Sequence, residues 1–418
     1  MKFVITGGRQ LSGEIAVSGS KNAATPIIAA TLLTSEECVL DNVPRISDVE
    51  AMLDILRSIG GKVAWTGEHQ VTIHNDEVDP TRLDRTLIKK MRSSVLFCGP
   101  FLARFKSIDL SEPGGCNIGN RPLNTHFHGL KSLGAQIEYR GDVYHIQRDT
   151  LKGSEIVLPE PSVTATENIV MAAALAEGET VVYNAACEPH VKDLVDCLNG
   201  MGAQITGGGT STLKITGVKQ LSGARHAIVP DMIEAGTFVM MGLATRSPIT
   251  VTQCRPRDLA VVLVRLRLVG AEFEVGEDWI RVIPPIKTLG AMSIDTHPYP
   301  GIPTDLQSIF GVLATQCAGL SLIHDTLFEG RMSYIQELAR MGAQAVVCDP
   351  HRAVISGPTQ LHGCSIKSYD LRAGAANLIA ALIANGETVI NEAEIVDRGY
   401  ERIEERLRLL GASIERVQ

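Results

Sequence analysis

The chain contains the stretch Leu130-Lys131-Ser132-Leu133-Gly134-Ala135-Gln136-Ile137-Glu138-Tyr139. It begins with leucine, two residues, a hydrophobic residue, glycine and a small residue, and this pattern occurs six times in the chain. Successive copies are 68 to 74 residues apart, which indicates six repeats of one structural unit. In each copy the glycine is expected to end a helix in a left-handed conformation, and the alternating residues after it predict a strand. The glycines are Gly60, Gly134, Gly202, Gly270, Gly342 and Gly411.

A second element recurs with the same spacing, namely a helix rich in small residues that is followed by a β-type run. One repeat therefore reads strand, helix, strand, helix, strand, strand, and the predicted fold class is α/β. Six such units divide into two lobes of three, formed by residues 21–229 and by residues 230–418 together with 1–20. A cleft between lobes is the usual place for a ligand, so the active site is expected there. The helices are expected to begin near Lys21, Arg92, Ala165, Ile233, Asp305 and Asp370.

The composition is that of an ordinary globular enzyme, with 44% hydrophobic and 21% charged residues in a chain of 418. The formal net charge of −8 argues against general nucleic-acid binding, which needs a broad basic face. The nine cysteines lack paired metal spacing, which indicates free thiols in a reducing compartment. No signal-type or membrane-spanning run is visible, so we expect a cytoplasmic protein that acts on small molecules without a metal or other cofactor.

Polar residues stand at the predicted start of each small-residue helix, where backbone N–H groups attract anions. An N-capping role is an alternative for each aspartate among them, including Asp231, Asp305 and Asp370. Lys21 is different, because the helix dipole disfavours a cation in the first turn. It indicates either a functional lysine or a solvated surface residue.

The most unusual segment is 112–122, in which three glycines surround Cys116 and precede Arg121. Glycines allow close approaches of the backbone, and a nearby arginine favours the thiolate. Cys116 is therefore a candidate reactive cysteine, with an incidental cysteine as the alternative. The other eight cysteines lie mostly in apolar segments and are expected to be buried and inert.

Eight short motifs occur from one end of the chain to the other. They are Gly19-Ser20-Lys21-Asn22, Met91-Arg92-Ser93-Ser94, Pro113-Gly114-Gly115-Cys116 through Arg121-Pro122, Pro230-Asp231, Pro303-Thr304-Asp305, Phe328-Glu329-Gly330-Arg331, Asp370-Leu371-Arg372 and Asp397-Arg398-Gly399-Tyr400-Glu401-Arg402. Together these motifs resemble those of the UDP-N-acetylglucosamine enolpyruvyl transferases, and the resemblance covers essentially the whole chain. It implies a two-lobed inside-out α/β barrel, which agrees with the six repeats. It also implies transfer of the enolpyruvyl group of phosphoenolpyruvate to the 3-hydroxyl of UDP-N-acetylglucosamine with release of phosphate, the first committed step of peptidoglycan synthesis.

The resemblance also implies roles for individual residues. Cys116 would protonate the methylene carbon of phosphoenolpyruvate and be alkylated by fosfomycin, and Asp305 would be the base that faces the sugar hydroxyl. Lys21 and Arg398 complete the implied catalytic set. The implied substrate contacts are Lys21, Arg92, Arg121, Arg331, Arg372 and Arg398 around the phosphate and carboxylate, Asn22, Asp305 and Leu327 at the amino sugar, Arg121, Pro122, Leu123, Asn124 and Thr125 at the uracil, and Ser162, Val163 and Thr164 at the diphosphate. Asp370 is a further implied substrate contact.

Three positions depart from the family pattern: Asn124 replaces an aspartate, Thr164 a glycine and Ile395 a histidine. An enolpyruvyl transferase for another uridine nucleotide therefore stays an alternative, as does a regulatory paralogue that only binds a UDP-sugar. The sister enzyme that acts on shikimate 3-phosphate lacks the Pro-Gly-Gly-Cys loop and is the least favoured alternative.

Overall fold

A computed structural model of the chain describes residues 1–115 and 118–418. Cys116, the candidate reactive cysteine, and Asn117 lie outside the described residues. The chain divides into two compact units. Unit 1 comprises Met1–Ser18, Cys116–Asn120 (of which 118–120 are described) and Pro230–Gln418, and unit 2 comprises Gly19–Gly115 and Arg121–Val229.

The strands of the described residues follow one another along the whole chain. In the first half they are β1 (Lys2–Thr6), β2 (Gly13–Ala16), β3 (Glu37–Asp41), β4 (Lys62–Gly67), β5 (Gln70–His74), β6 (Ser107–Ser111), β7 (Gln136–Arg140), β8 (Val143–Gln147), β9 (Glu155–Val157), β10 (Glu179–Tyr183), β11 (Gln204–Thr206) and β12 (Thr212–Thr216). In the second half they are β13 (Arg225–Ala227), β14 (Ile249–Thr252), β15 (Glu272–Val275), β16 (Ile280–Ile283), β17 (Ser293–Asp295), β18 (Gly319–His324), β19 (Gln344–Asp349), β20 (Arg352–Gly357), β21 (Ser365–Lys367), β22 (Glu387–Asn391) and β23 (Ser413–Val417).

The helices alternate with these strands. They are α1 (Lys21–Ala30), α2 (Ser47–Ser58), α3 (Arg85–Ile88), α4 (Cys98–Phe105), α5 (Asn124–Ser132), α6 (Val163–Ala173), α7 (Pro189–Gly200), α8 (Met232–Ala244), α9 (Ala260–Leu268), α10 (Gln307–Ala314), α11 (Tyr334–Arg340), α12 (Leu371–Ile383) and α13 (Ile403–Leu409). Short 3-10 turns cover Thr31–Leu33, Pro80–Arg82, Arg92–Phe97, Pro256–Leu259, Thr304–Leu306 and Ala393–Arg398.

Each repeat contributes one small sheet. In the third repeat, β9 runs parallel to β10 with α6 between them in the chain, and β12 and β11 then add antiparallel strands. This is the order of elements that the sequence predicts for one unit. The sheets in unit 2 are ordered β13-β3-β5-β4, β6-β8-β7 and β11-β12-β10-β9, and those in unit 1 are β15-β16-β14-β2, β17-β18-β20-β19 and β21-β22-β1-β23.

Three sheets are completed by strands that are distant in the chain. β2 pairs in parallel with β14, and β13 pairs in parallel with β3. β1 lies between β22 and β23 and is antiparallel to both. The N-terminal strands therefore complete sheets of unit 1, although the residues that follow them belong to unit 2.

Each unit has an apolar core of its own, formed by the inner faces of its sheets and by the small-residue helices. In α8 every residue from Ile233 to Ala244 is buried. A helix that is apolar on all sides must lie inside its unit, because a surface helix keeps a polar face. Small residues allow such buried helices to approach their neighbours closely.

The glycines of the repeat pattern end helices, as the sequence predicts. All six of its glycines have a positive φ, between 94° and 103°, and each ends a helix before a strand. Of the small-residue helices, α1, α6, α8 and α12 begin within two residues of the predicted positions, and those near Arg92 and Asp305 begin as 3-10 turns. Among the described residues, no helix combines the length and the apolar character needed to cross a membrane.

Candidate active site

In unit 1, the carboxylate of Asp305 is held by two arginines. Arg331 donates from Nη2 to Oδ1 at 2.7 Å, and Arg372 donates to Oδ2 from Nη2 at 2.9 Å and from Nε at 3.1 Å. The arginine residues are only 8% and 4% exposed. Asp305 does not cap its own helical turn, because the N-cap of Thr304–Leu306 is Pro303 and has no side-chain hydrogen bond. The capping alternative is therefore wrong for Asp305.

The two arginines keep unused donors. Arg331 Nε and Arg372 Nη1 are buried and have no hydrogen-bond partner within the described residues. Burial alone would lower the pKa of Arg372, but the charge of Asp305 raises it above its ordinary value. The Arg372 guanidinium therefore stays charged, and the unused donors of the two arginines can bind a further anion.

Asp370 and Asp231 act as helix N-caps, which is the alternative role that the sequence left open for them. Asp370 accepts the backbone N–H groups of Arg372 and Ala373 at 2.8 and 3.0 Å, and Asp231 caps α8 in the same way. Asp370 thus fixes the first turn of α12, from which Arg372 reaches Asp305. Arg398 ends the 3-10 turn Ala393–Arg398 in the same unit and is partly buried.

In unit 2, Lys21 is the first residue of α1 and is mostly buried, with its side chain 14% exposed. Its ammonium group donates to Asp48 Oδ2 at 2.9 Å. The alternative of a solvated surface lysine is therefore wrong. Asn22 follows in the first turn of the same helix, which Ser20 caps.

Arg92 and Arg121 lie close together in unit 2. Arg92 Nη2 donates to the backbone carbonyls of Arg121 and Pro122. Burial and the neighbouring Arg121 lower the pKa of Arg92 to about 10. Gly115 lies beside both side chains, since a Cβ at this glycine would be 3.2 Å from Arg92 Cβ and 3.4 Å from Arg121 Nη2. Two arginines that repel each other in this way favour an anion between or beside them.

The residues expected at the uracil and the diphosphate lie at the starts of α5 and α6. Asn124 and Thr125 open α5, and Ser162 is the N-cap residue of α6, whose first residues are Val163 and Thr164. Thr125 Oγ1 donates to Glu160 Oε1 at 2.9 Å.

A directed chain of hydrogen bonds ends at Thr164. Gly99 N–H donates to Asn168 Oδ1 at 2.7 Å, so the amide nitrogen of Asn168 faces His126 Nδ1, at 3.1 Å. Burial and Arg92 lower the pKa of His126 to about 3, so the ring is neutral. Its Nδ1 must then accept and its Nε2 must carry the proton. His126 therefore donates to Thr164 Oγ1 at 3.0 Å, and the threonine proton remains available for another acceptor.

Residues 118–120 of the segment 112–122 belong to unit 1 and bond to the segment that follows β18. Asn120 N–H donates to Glu329 Oε1 at 2.7 Å, and Gly330 N–H donates to the carbonyl of Ile118 at 3.0 Å. Gly119 has φ +128°, and a Cβ there would be 2.3 Å from Glu329 Oε2, so this position requires glycine. Glu329 has no role in the sequence-based prediction, although the motif Phe328-Glu329-Gly330-Arg331 contains it.

The predicted site residues thus form several groups. The structure brings Asp305 together with Arg331 and Arg372, and Arg92 together with Arg121. Leu327 is exposed on the loop after β18. The predicted acid, Cys116, lies outside the described residues.

Comparisons with known proteins define the class to which this arrangement belongs. The family model described as EPSP synthase (3-phosphoshikimate 1-carboxyvinyltransferase) matches residues 5–407. The chain belongs to this family of enolpyruvyl transferases and is a transferase.

Relatives within the family carry a narrower name. The chain is 46% identical over 416 residues to UDP-N-acetylglucosamine 1-carboxyvinyltransferase 1 of Carboxydothermus hydrogenoformans, with 100% of this chain and 98% of the relative covered. It is 42% identical over 417 residues to UDP-N-acetylglucosamine 1-carboxyvinyltransferase of Coxiella burnetii, with 100% and 96% covered.

Solved structures share the fold at lower identity. The enolpyruvyl transferase NikO from Streptomyces tendae matches with a TM-score of 0.91 at 24% identity, covering 99% of this chain and 98% of that one. EPSP synthase from Acinetobacter baumannii matches with a TM-score of 0.77 at 20% identity, covering all of both chains.

Proposed function

We propose that this protein transfers the enolpyruvyl group of phosphoenolpyruvate to the 3-hydroxyl of UDP-N-acetylglucosamine and releases phosphate. The observation that carries the proposal is the carboxylate of Asp305 between two buried arginines that keep unused donors. A base next to fixed cations is what the reaction needs where a hydroxyl attacks an anionic substrate. Full-length relatives with 42–46% identity and the corresponding name support the choice of acceptor.

The proposed chemistry has an addition and an elimination. In the addition, Cys116 gives a proton to the methylene carbon of phosphoenolpyruvate, the sugar oxygen bonds to the neighbouring carbon, and Asp305 takes the hydroxyl proton. In the elimination, the new methyl group returns a proton to the Cys116 thiolate, the carbon–oxygen bond to phosphate breaks with its electron pair on oxygen, and the released phosphate takes the proton held by Asp305. General acids and bases contribute about 10²–10⁴-fold each, so loss of either group should be severe.

The cations have a separate role, because phosphoenolpyruvate carries both phosphate and carboxylate. Lys21, Arg92, Arg121, Arg331, Arg372 and Arg398 are proposed to bind these groups, with Asp370 fixing Arg372. One arginine can bind two such oxygens through two parallel N–H···O hydrogen bonds. A charge that is already in place needs no reorganisation during the reaction.

The acceptor is proposed to bind through the remaining predicted residues. Asn22 and Leu327 contact the amino sugar, residues 121–125 contact the uracil, and residues 162–164 contact the diphosphate. The start of α6 supports the last of these, because backbone N–H groups at a helix N-terminus favour phosphate oxygens.

Two broader statements belong with this proposal. The first is that the six repeats form the two-lobed inside-out barrel of the family, with the lobes divided near residues 20 and 229; the six sheets support it. The second is that the enzyme works in the cytoplasm on small molecules, in the first committed step of peptidoglycan synthesis.

The test measures phosphate release with phosphoenolpyruvate and each of three acceptors: UDP-N-acetylglucosamine, UMP and shikimate 3-phosphate. Turnover with UDP-N-acetylglucosamine well above the others is expected. Preferred turnover with UMP would instead assign the acceptor to another uridine nucleotide. Binding of UDP-N-acetylglucosamine without any phosphate release would indicate a regulatory paralogue.

A further inference from the structure

Asp325 is a fully buried carboxylate for which the proposed chemistry has no use. It follows β18 directly, and its Oδ1 accepts the backbone N–H groups of Leu327 and Phe328, both at 3.0 Å. The same oxygen accepts Thr296 Oγ1 at 3.2 Å, and Oδ2 accepts Thr304 Oγ1 at 2.6 Å. All four donors are neutral hydroxyl or amide groups.

The two oxygens of Asp325 serve different segments. Oδ1 shapes the turn that presents Leu327, which is the proposed contact to the acceptor sugar. Oδ2 reaches back to Thr304, the residue directly before the proposed base Asp305. The carbonyl of Thr304 also accepts Arg331 Nη1, at 3.5 Å.

A purely local role explains only half of this arrangement. An aspartate that accepts the N–H groups two and three residues later stabilises its own turn. That role does not need the second oxygen, which bonds to a hydroxyl 21 residues earlier in the chain. Hydrogen bonds in a buried site are stronger than those in water, and the bond from Thr304 to Oδ2 is 2.6 Å long, so Asp325 ties Thr304 firmly to residues 327–328.

We infer that Asp325 is a positioning residue, which holds the segment of the base and the segment of the acceptor sugar in one fixed geometry. It touches neither substrate nor reacting atoms. The inference rests on the proposed function, because it takes Asp305 as the base and Leu327 as the sugar contact. Its consequence is that the link through Thr304 sets kcat, whereas a structural carboxylate would set only stability.

The test removes one end of the link and leaves Asp325 in place. Thr304→Val keeps the shape of the side chain but cannot donate to Oδ2. We expect kcat to fall about tenfold, since small misplacements of reacting groups cost up to about 10²-fold. The KM for UDP-N-acetylglucosamine should stay within about twofold, because the sugar segment is still held through Oδ1.

Thr315→Val is the matched control. Thr315 is fully buried in the same unit, and its Oγ1 donates to the carbonyl of Val312 at 2.7 Å. The control should lose as much Tm as Thr304→Val and keep the kcat of the wild-type enzyme. Asp325→Asn gives a second check, because its amide oxygen still accepts at the turn and the Thr304 hydroxyl can rotate to accept from the new NH₂ group. This variant should keep more kcat than Asp325→Ala.

The possible outcomes separate the two proposals. A wild-type kcat in Thr304→Val, or an equal loss of kcat in Thr315→Val, overturns the positioning role while the enzyme activity stands. If Asp325→Asn and Asp325→Ala are equally impaired at equal Tm, the link is also refuted. Absence of phosphate release by the wild-type protein under the same conditions overturns the proposed function and this inference with it.

Discussion

Arg372 holds the Asp305 carboxylate through two nitrogens, Nη2 at 2.9 Å and Nε at 3.1 Å from Oδ2. Arg331 binds the other oxygen, so each oxygen of the proposed base is held by an arginine. An ion pair favours the charged form of a carboxylate and makes it a weaker proton acceptor. Because the same arginines are proposed to bind phosphoenolpyruvate, the carboxylate of Asp305 and the oxygens of this substrate would share the same cations.

Asp305→Asn should therefore abolish turnover and leave the fold intact. Asparagine has nearly the same shape but cannot take the sugar proton, so we expect kcat at least about 100-fold below wild type. Phosphate release measures kcat, and calorimetry measures binding of UDP-N-acetylglucosamine, which should persist. The control Asp349→Asn removes a surface aspartate whose Oδ2 accepts Arg352 Nε at 2.7 Å, and it should keep full activity. Normal turnover by Asp305→Asn would leave Asp305 with no role as a base.

Anionic ligands should stabilise Asp305→Asn more than they stabilise the wild-type protein. Without the carboxylate, Arg331 and Arg372 are buried charges that have lost their partner. Phosphoenolpyruvate should then raise the Tm of Asp305→Asn more than that of the wild-type protein, since a ligand stabilises in proportion to its affinity for the folded state. An equal or smaller Tm increase would contradict a shared binding site for the carboxylate and the substrate anion.

Thr164→Val should weaken acceptor binding without slowing the chemistry. His126 donates to Thr164 Oγ1, so the threonine hydroxyl can offer its own proton to the diphosphate. Valine has no proton to offer, and we expect the KM for UDP-N-acetylglucosamine to rise roughly tenfold, as for loss of a hydrogen bond to a charged group. The kcat should not change. Thr164→Ser keeps the hydroxyl and serves as the control; equal KM values in the two variants would exclude this contact.

His126 should make the protein less stable in mild acid. Burial, together with the charge of Arg92, lowers its pKa to about 3 from the ordinary value of 6.5, so between these pH values the unfolded chain binds a proton that the folded one does not. The free energy of unfolding must therefore fall as pH decreases through this window. His126→Gln removes the titrating group, so its Tm should fall less than that of wild type between pH 6.5 and 4. Parallel Tm curves, or an imidazole NMR signal that titrates near pH 6, would contradict a neutral buried ring.

Cys116 should be the cysteine that fosfomycin alkylates. Burial raises the pKa of Cys98 and Cys317 to about 12 and that of Cys254 to about 11, so these thiols stay protonated at neutral pH. Cys348 is exposed and is the internal control, because a general alkylating agent should modify it whereas fosfomycin should not. Mass mapping identifies the adduct, and UDP-N-acetylglucosamine should accelerate its formation.

Two variants separate the acid from the nucleophile at this position. Cys116→Ser should lose most activity, because a hydroxyl is a far weaker acid than a thiol. Cys116→Asp should keep some activity and resist fosfomycin, since a carboxylic acid can deliver a proton but attacks an epoxide poorly. A fosfomycin adduct on another cysteine, or full activity of Cys116→Ser, would refute the assignment.

The fold could be predicted to a large extent because its determinants are local. A glycine such as Gly134 ends a helix with φ +103°, a conformation that few other residues adopt, so its regular spacing along the chain marks the repeats. The 3-10 start of the helices near Arg92 and Asp305 was not predicted, since a difference of one hydrogen-bond register leaves no clear mark in the sequence.

The types of residue in the candidate site could be predicted from the sequence, but the contacts between them could not. Asp231, Asp305 and Asp370 occupy equivalent places in the repeats, yet two cap helices and one binds arginines. The difference depends on Arg331 and Arg372, which are 26 and 67 residues away from Asp305 and reach it only through the fold. The ion pair of Lys21 with Asp48 likewise joins residues that are distant in the chain and meet only in the folded protein. The same holds for the bond between Thr304 and Asp325.

The N-terminal strand has a consequence for biosynthesis. β1 is synthesised before unit 2, but its neighbours β22 and β23 are synthesised after it, with Lys2 opposite Val417. Unit 2 can fold on the growing chain, whereas β1 must remain without these partners until β22 and β23 have been made.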